Sequence, residues 1–147
     1  MPKNSSIKKS YLAGFLDADG SIYAQAKPNK TYRFGFQIVC YVAFYQSSKK
    51  EESFLKIFSE INLGRKRSRK DGITEYIISR QREIVEFLDL IEPYVQMKKE
   101  QVKLMRKIIN LKNKVKNKKD FEKLIGLIDN FRNLNYSKKR KKRILTP

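Results

Sequence analysis

The chain has 147 residues, with 34 Lys and Arg against 15 Asp and Glu, for a formal net charge of +19. That length predicts a single domain over residues 1–147 with a substantial core, and the basic excess indicates a polyanionic partner, most often nucleic acid. The chain has no His and one cysteine, Cys40, which excludes zinc fingers, Ser-His and Cys-His nucleophiles and an internal disulfide. Hydrolytic chemistry would therefore depend on carboxylates, amides, lysines and metal.

The first predicted helix runs from residue 6 to about 18 and is followed by a turn, with two carboxylates, Asp17 and Asp19, near its end. Gly14 and Ala18 lie four residues apart and share a helical face with almost no side chain. Such a face lets a second backbone approach closely, as small residues do between membrane helices. An Asp-Gly turn can also be an ordinary helix C-terminus before a hairpin. A calcium-binding loop is excluded, because the twelfth position of that pattern is not Glu here.

The rest of the chain predicts an α+β fold. Periodicity predicts strands over 20–30 and about 32–45, followed by a helix opened by a Ser48–Glu51 capping box and a hairpin around Asp71-Gly72. It also predicts helices over about 81–91 and about 99–111, and a last helix that Asp120 would cap. The order is αββαββα with further helix at the C-terminal end. Helices would cover the apolar face of a four-stranded antiparallel sheet and leave its polar face open as a DNA-binding saddle, because an open polar face needs a partner.

The open face of this sheet is polar, basic and aromatic, which suits base edges and phosphates. In the second hairpin three arginines at every second position form a cationic ridge, for which a solvated surface is the plain alternative. The hairpin residues expected to contact DNA are Tyr23, Gln25, Lys27, Asn29, Thr31, Tyr32, Arg33, Gln37, Val39, Tyr41, Arg65, Arg67, Arg69, Glu75 and Ile77. A basic arm over about 136–147 would clamp phosphates through Lys138, Lys139, Arg140 and Lys141, with a nuclear-localisation signal as the alternative.

Residues 11–21, Tyr-Leu-Ala-Gly-Phe-Leu-Asp-Ala-Asp-Gly-Ser, closely resemble the motif of the LAGLIDADG homing endonucleases, and the downstream elements follow the single-motif branch of that family. With one copy of the motif, the resemblance implies a homodimer whose interface holds Gly14, Asp17 and Ala18, with Asp17 bonded to backbone near the helix ends. It also implies that Asp19 and the backbone carbonyl of Ala18 bind metal. Magnesium is expected because the ligands are all oxygens. Mn²⁺ is expected to replace it, and Ca²⁺ to support binding without cleavage.

The same resemblance implies three further catalytic residues. Gln46 matches a glutamine that orders water beside the scissile phosphate, and Lys50 matches a basic residue four positions later. Lys98 matches a lysine in the segment after Pro93-Tyr94. Considered without the family, each of the three is an ordinary polar surface residue.

The expected function is cleavage of double-stranded DNA. A ten-residue strand is about 33 Å long and matches about ten base pairs, so a two-fold dimer would recognise a pseudo-palindrome of about 20 base pairs. The family resemblance implies that cutting such a site would promote intron mobility. The alternatives are a catalytically silent nucleic-acid-binding protein, an intron RNA maturase on the same fold, or a basic structural protein.

Other partners are not expected. No apolar run could span a membrane, and no small-molecule substrate is predicted. A composition rich in Lys, Asn and Ile is typical of an organellar gene, in a chloroplast or mitochondrion, and the first residues do not resemble a targeting peptide.

Overall fold

The computed structural model describes residues 5–135. The elements in chain order are α1 Ser6–Asp19, β1 Gly20–Pro28, β2 Phe36–Ser47, α2 Glu51–Lys56, β3 Arg65–Ser68, β4 Ile73–Ile78, α3 Gln81–Ile91, α4 Lys99–Lys112 and α5 Lys118–Leu134, with 3-10 turns at Ser48–Lys50 and Glu92–Tyr94. The strands form one antiparallel sheet in the order β1-β2-β4-β3. The predicted α+β order is confirmed. Within the described range, none of the helices has the length and apolar character needed to cross a membrane.

The described residues form two compact units. The first includes the described residues up to Ile22 together with residues 41–99, and the second includes residues 23–40 together with the described residues from Glu100 onward. Each unit has its own buried side chains, as follows.

Aromatic rings form the centre of the first unit. Phe15 of α1 lies 5.3 Å from Phe44 and 6.3 Å from both Phe54 and Phe58, measured between ring centroids. Phe58 in turn stacks on Tyr76 at 4.0 Å. Burying one such side chain contributes about 1.5–3 kcal/mol, so this cluster holds the inner face of α1 firmly in place.

The inner face of α1 also carries one buried cation. Lys8, Leu12 and Leu16 lie at four-residue intervals and are all buried. The Lys8 ammonium donates to the carbonyl oxygen of Ile57, which follows the end of α2. A buried charge needs such a partner, and the backbone carbonyl at a helix C-terminus supplies it.

In the second unit, α5 packs against the first hairpin and α4 contacts α5. Phe121 stacks on Phe34 at 4.9 Å and on Phe36 at 6.2 Å. The Gln101 side chain joins the two helices by donating to the Leu134 carbonyl at 3.2 Å. The further buried residues of these helices are Val102, Leu104, Met105, Ile108, Ile109, Leu124, Ile125, Ile128 and Phe131.

The connection between β1 and β2 is longer than predicted. The second strand was expected from about residue 32, but it begins at Phe36. The intervening residues form a hydrogen-bonded turn, in which the Asn29 N–H donates to the Gly35 carbonyl at 2.9 Å. Gly35 has φ +81°, a conformation that glycine adopts without strain. Thr31, Tyr32 and Arg33 therefore lie in an exposed turn and not on a strand face.

Two predicted helix caps are wrong. Ser48 and Glu51 form no capping box, because both side chains bond to Thr74 of the neighbouring strand β4. Asp120 is not the N-cap residue of α5 either. The helix starts earlier, and Asn117 caps it by accepting from the Asp120 N–H at 2.8 Å.

Candidate active site

α1 ends at Asp19 and passes into β1 without a loop. The Gly20 N–H donates to the Leu16 carbonyl. A Cβ atom at residue 20 would lie 2.6 Å from Leu16 Cδ1 and 2.9 Å from Leu16 Cα, so this close approach requires glycine. The abrupt end leaves Ala18 and Asp19 exposed, at the helix terminus whose unsatisfied carbonyl groups attract cations.

Asp17 fixes Lys98 at this helix end. The Asp17 carboxylate accepts hydrogen bonds from the backbone N–H groups of Gln96 at 2.9 Å and Lys98 at 3.1 Å. The Lys98 ammonium donates to the Asp17 backbone carbonyl at 2.9 Å. One residue therefore holds both the loop that carries Lys98 and the charged end of its side chain, two residues before Asp19.

Gln46 and Lys50 lie at the end of β2. Gln46 pairs with Thr74 across the strands, and its Oε1 accepts from the Ser47 N–H at 3.1 Å. Lys50 is exposed and immediately precedes α2. Because β1 and β2 are antiparallel neighbours, the start of β1 and the end of β2 lie at one end of the sheet. The fold thus brings Asp19, at the start of β1, to the same end as Gln46 and Lys50.

Glu75 lies among the arginines of the predicted cationic ridge. Arg67 Nε is 3.8 Å and Arg69 Nη1 is 3.4 Å from the Glu75 carboxylate. Arg69 also pairs with Asp71 at 2.5 Å. The Arg69–Asp71 pair is exposed, and such pairs contribute little to stability, so a phosphate or base can replace Asp71 at small cost. In this unit Arg65, Arg67 and Arg69 are exposed, Tyr41 and Ile77 are half-buried, and Glu75 is buried.

The remaining predicted contact residues lie in the second unit, on β1, β2 and their turn. The exposed ones are Lys27, Thr31, Tyr32 and Arg33, and the half-buried ones are Tyr23, Gln25, Asn29, Gln37 and Val39. Asn29 Oδ1 accepts from both the Thr31 N–H at 3.0 Å and the Thr31 hydroxyl at 2.7 Å, and the Arg33 guanidinium lies 5.0 Å from the centre of the Phe34 ring. Tyr23 also contacts Phe131 edge-on at 6.3 Å. The turn is thus ordered by its own contacts.

Lys138, Lys139, Arg140 and Lys141 lie outside the described residues.

One polar cluster was not predicted from the sequence. Thr74 is fully buried, and its hydroxyl contacts Ser48 at 2.9 Å and Glu51 at 3.0 Å. Lys66 of β3 pairs with the same Glu51 oxygen at 3.1 Å. These hydrogen bonds with Lys66 and Thr74 hold the pKa of Glu51 below its usual value. No sequence signal marks this cluster, because its members meet only through the pairing of separate strands.

Comparison with known proteins places these features in a family. The sequence model described as LAGLIDADG endonuclease matches residues 12–109. DNA endonuclease I-CreI of Chlamydomonas reinhardtii is 36% identical over 132 residues, which cover 89% of this chain and 80% of that protein. DNA endonuclease I-CvuI of Chlorella vulgaris is 32% identical over 117 residues, which cover 80% of this chain and 71% of that protein.

Solved structures show the same architecture. A crystal structure of the homing endonuclease I-CvuI in complex with the I-CreI target, in the presence of 2 mM Mg and with the DNA not cleaved, matches with a TM-score of 0.86 at 30% identity, covering 92% of this chain and 86% of that chain. The archaeal intron-encoded homing endonuclease I-Vdi141I, complexed with DNA, matches with a TM-score of 0.81 at 21% identity, covering 95% and 90%. The second similarity concerns the fold alone.

Proposed function

The chain belongs to the LAGLIDADG endonuclease family, and we propose that it is a homing endonuclease that cuts both strands of a long, near-palindromic DNA site. The observation that carries this proposal is the end of α1, where Asp19 is exposed and the Lys98 ammonium is held on the Asp17 carbonyl. Phosphodiester hydrolysis develops negative charge on the phosphate oxygens. A bound cation and a fixed ammonium are groups that stabilise such charge.

The active form that we propose is a homodimer paired through the outer face of α1. On that face Ile7 and Tyr11 are 71% and 51% exposed, and Gly14 and Ala18 continue the same stripe. A Cβ atom at Gly14 would have no neighbour within 4 Å, so packing within the chain does not require glycine there. A second helix crossing at Gly14 would require it, because small residues let two backbones approach.

Divalent cations, Mg²⁺ first among them, are proposed to bind between the two Asp19 carboxylates of the dimer, with the Ala18 carbonyl as a further ligand. Such oxygen donors suit a hard cation. Among residues 5–135, no group of three or more His, Cys, Asp or Glu side chains could hold a metal ion. One chain therefore supplies too few ligands, and a second copy would complete the set. A bound divalent ion would polarise the phosphate and acidify the attacking water.

The other candidate residues have separate proposed roles. Lys98, fixed by Asp17, would stabilise the charge that develops on the phosphate. Gln46 uses its amide oxygen to accept from Ser47, so its amide nitrogen is the group that would orient water. Lys50 is exposed and would bind a phosphate oxygen as a point charge.

The sheet is proposed to read the DNA through its two hairpins. In the second hairpin, the exposed side chains of Arg65, Arg67 and Arg69 would contact guanine edges or phosphates, and Arg69 would give up its exposed partner Asp71 to do so. The nine residues of β1 span about 30 Å at about 3.3 Å per residue, the length of about nine base pairs. A two-fold dimer would then cover about 20 base pairs.

The test is a selection of bound duplexes from a random library in Ca²⁺, followed by transfer to Mg²⁺ or Mn²⁺ over a range of concentrations. The expected result is a near-palindrome of about 20 base pairs that is cut in both strands. The matched control is Asp19→Asn, which should bind the same duplex and leave it intact. Specific binding without cutting in either ion would overturn the endonuclease assignment, and intron RNA would then be the next substrate to test.

We further propose an organellar gene for this protein, in line with a composition rich in Lys, Asn and Ile. Localisation of the transcript to a chloroplast or mitochondrial fraction would test it.

A further inference from the structure

We propose that Thr74, Glu51 and Lys66 are positioning residues that hold the turn carrying Lys50 beside Gln46. The expected effect of these residues on cleavage rests on the endonuclease function proposed above. None of the three residues belongs to the candidate catalytic set. They lie in the first unit, where their contacts cross from β4 and β3 to the start of α2.

The hydrogen bonds of this cluster run in one direction. The Glu51 carboxylate can only accept, so the single hydroxyl proton of Thr74 goes to Glu51 Oε1 at 3.0 Å. Thr74 Oγ1 must then accept from the Ser48 hydroxyl at 2.9 Å. The chain of bonds is therefore Ser48 to Thr74 to Glu51, and the ammonium of Lys66 completes it at 3.1 Å.

The cluster holds both flanks of Lys50 on β4. Ser48 lies two residues before Lys50, and its backbone N–H also donates to the Gly72 carbonyl at 2.8 Å. Glu51 follows Lys50 directly. The Thr74 hydroxyl accepts from the Ser48 side chain and donates to the Glu51 side chain. Thr74 is also the cross-strand partner of Gln46. One buried hydroxyl thus sets the position of two candidate catalytic residues relative to each other.

Lys66 has a second, electrostatic role. Glu51 is an acid next to a residue that must approach a phosphate, and an uncompensated carboxylate there would repel the DNA backbone. Lys66 neutralises it from β3, with side chains of Lys66 and Glu51 that are 44% and 33% exposed. Lys66→Met should therefore slow cleavage more in the parent than in a Glu51→Gln background, where the unpaired charge is absent.

The test compares variants on the selected duplex, with affinity measured in Ca²⁺ and single-turnover cleavage in Mg²⁺. Thr74→Val and Glu51→Ala, which remove the donor and the acceptor of this bond, should bind within about twofold of the parent and cleave more slowly by on the order of 10-fold to 100-fold, because displaced groups lose the reactive geometry. Their effects should not add, since both break one network. Thr74→Ser, which keeps the hydroxyl, and Glu52→Gln, which changes an exposed neighbour, should cleave like the parent.

Cleavage by Thr74→Val at the parental rate would overturn the inference, and so would affinity and cleavage that fall together. A parent that binds DNA but never cuts would defeat the proposed function instead. In that case amide hydrogen exchange decides the positioning role by itself. Thr74→Val must raise exchange at residues 48–51, and unchanged protection there would overturn the inference.

Discussion

The contact between Asp17 and Lys98 allows a strong prediction about stability and rate together. Asp17→Ala removes the acceptor for two backbone N–H groups, those of Gln96 and Lys98. Hydrogen bonds to a charged group contribute about 1.5–3 kcal/mol each. Gln96 is exposed and Lys98 half-buried, so water replaces part of the loss. The expected loss is about 2–4 kcal/mol for alanine and about half of that for asparagine, which keeps one oxygen.

Thermal unfolding and single-turnover cleavage are the two measurements. For a chain of this size each kcal/mol lowers the melting temperature by about 2–4 °C, so Asp17→Ala should melt about 4–16 °C below the parent. Cleavage at a temperature where the variant is folded should still fall by on the order of 10-fold to 100-fold, because the loop that carries Lys98 is no longer anchored to the Asp17 carboxylate.

Asp19→Asn is the matched control for this prediction. Asp19 is exposed at a helix C-terminus, where a negative charge is unfavourable, so its removal should not lower the melting temperature although it stops cleavage. The reasoning fails if Asp17→Ala melts within about 1 °C of the parent, since even one lost bond should exceed that. It also fails if Asp17→Ala cleaves at the parental rate.

Three further outcomes are expected. Gly14→Leu should give a monomer by sedimentation, because the bulky side chain blocks close helix pairing, and an unchanged mass would place the interface elsewhere. Gly20→Ala should lose about 1–3 kcal/mol on urea unfolding through its clash with Leu16, whereas Gly126→Ala, which enters open space within α5, should gain up to about 1 kcal/mol. Burial raises the pKa of the Tyr76 hydroxyl. The folding stability that the neutral hydroxyl contributes is therefore fully present below its ordinary pKa of about 10, and it is lost as pH rises through the raised pKa. Tyr76→Phe should therefore lose less stability between pH 8 and 11 than the parent, and equal losses would contradict the assignment.

Helices with an uninterrupted apolar period were predicted closely. The helix expected over about 81–91 occurs at Gln81–Ile91, since Ile84, Phe87, Leu88 and Ile91 recur at helical spacing and Pro93 ends the pattern. Strand ends and caps were predicted less well. Their positions depend on which partner a polar side chain reaches, and Glu51 reaches Thr74 and not a backbone amide of its own helix.

The sequence by itself determined the order of the elements, the two faces of the first helix and the carboxylates at its end. These properties depend on residues that are close in the chain, and local periodicity records them. It also indicated Asp19, Gln46, Lys50 and Lys98 through their resemblance to a family.

Only the tertiary structure decided how these residues are held. The bonds from Asp17 to Gln96 and Lys98 join residues about 80 positions apart. The cluster of Ser48, Thr74 and Lys66 around Glu51 exists because β2, β4 and β3 are adjacent in the sheet. No local pattern encodes such contacts, since strand pairing and packing bring together groups whose spacing in the sequence carries no period.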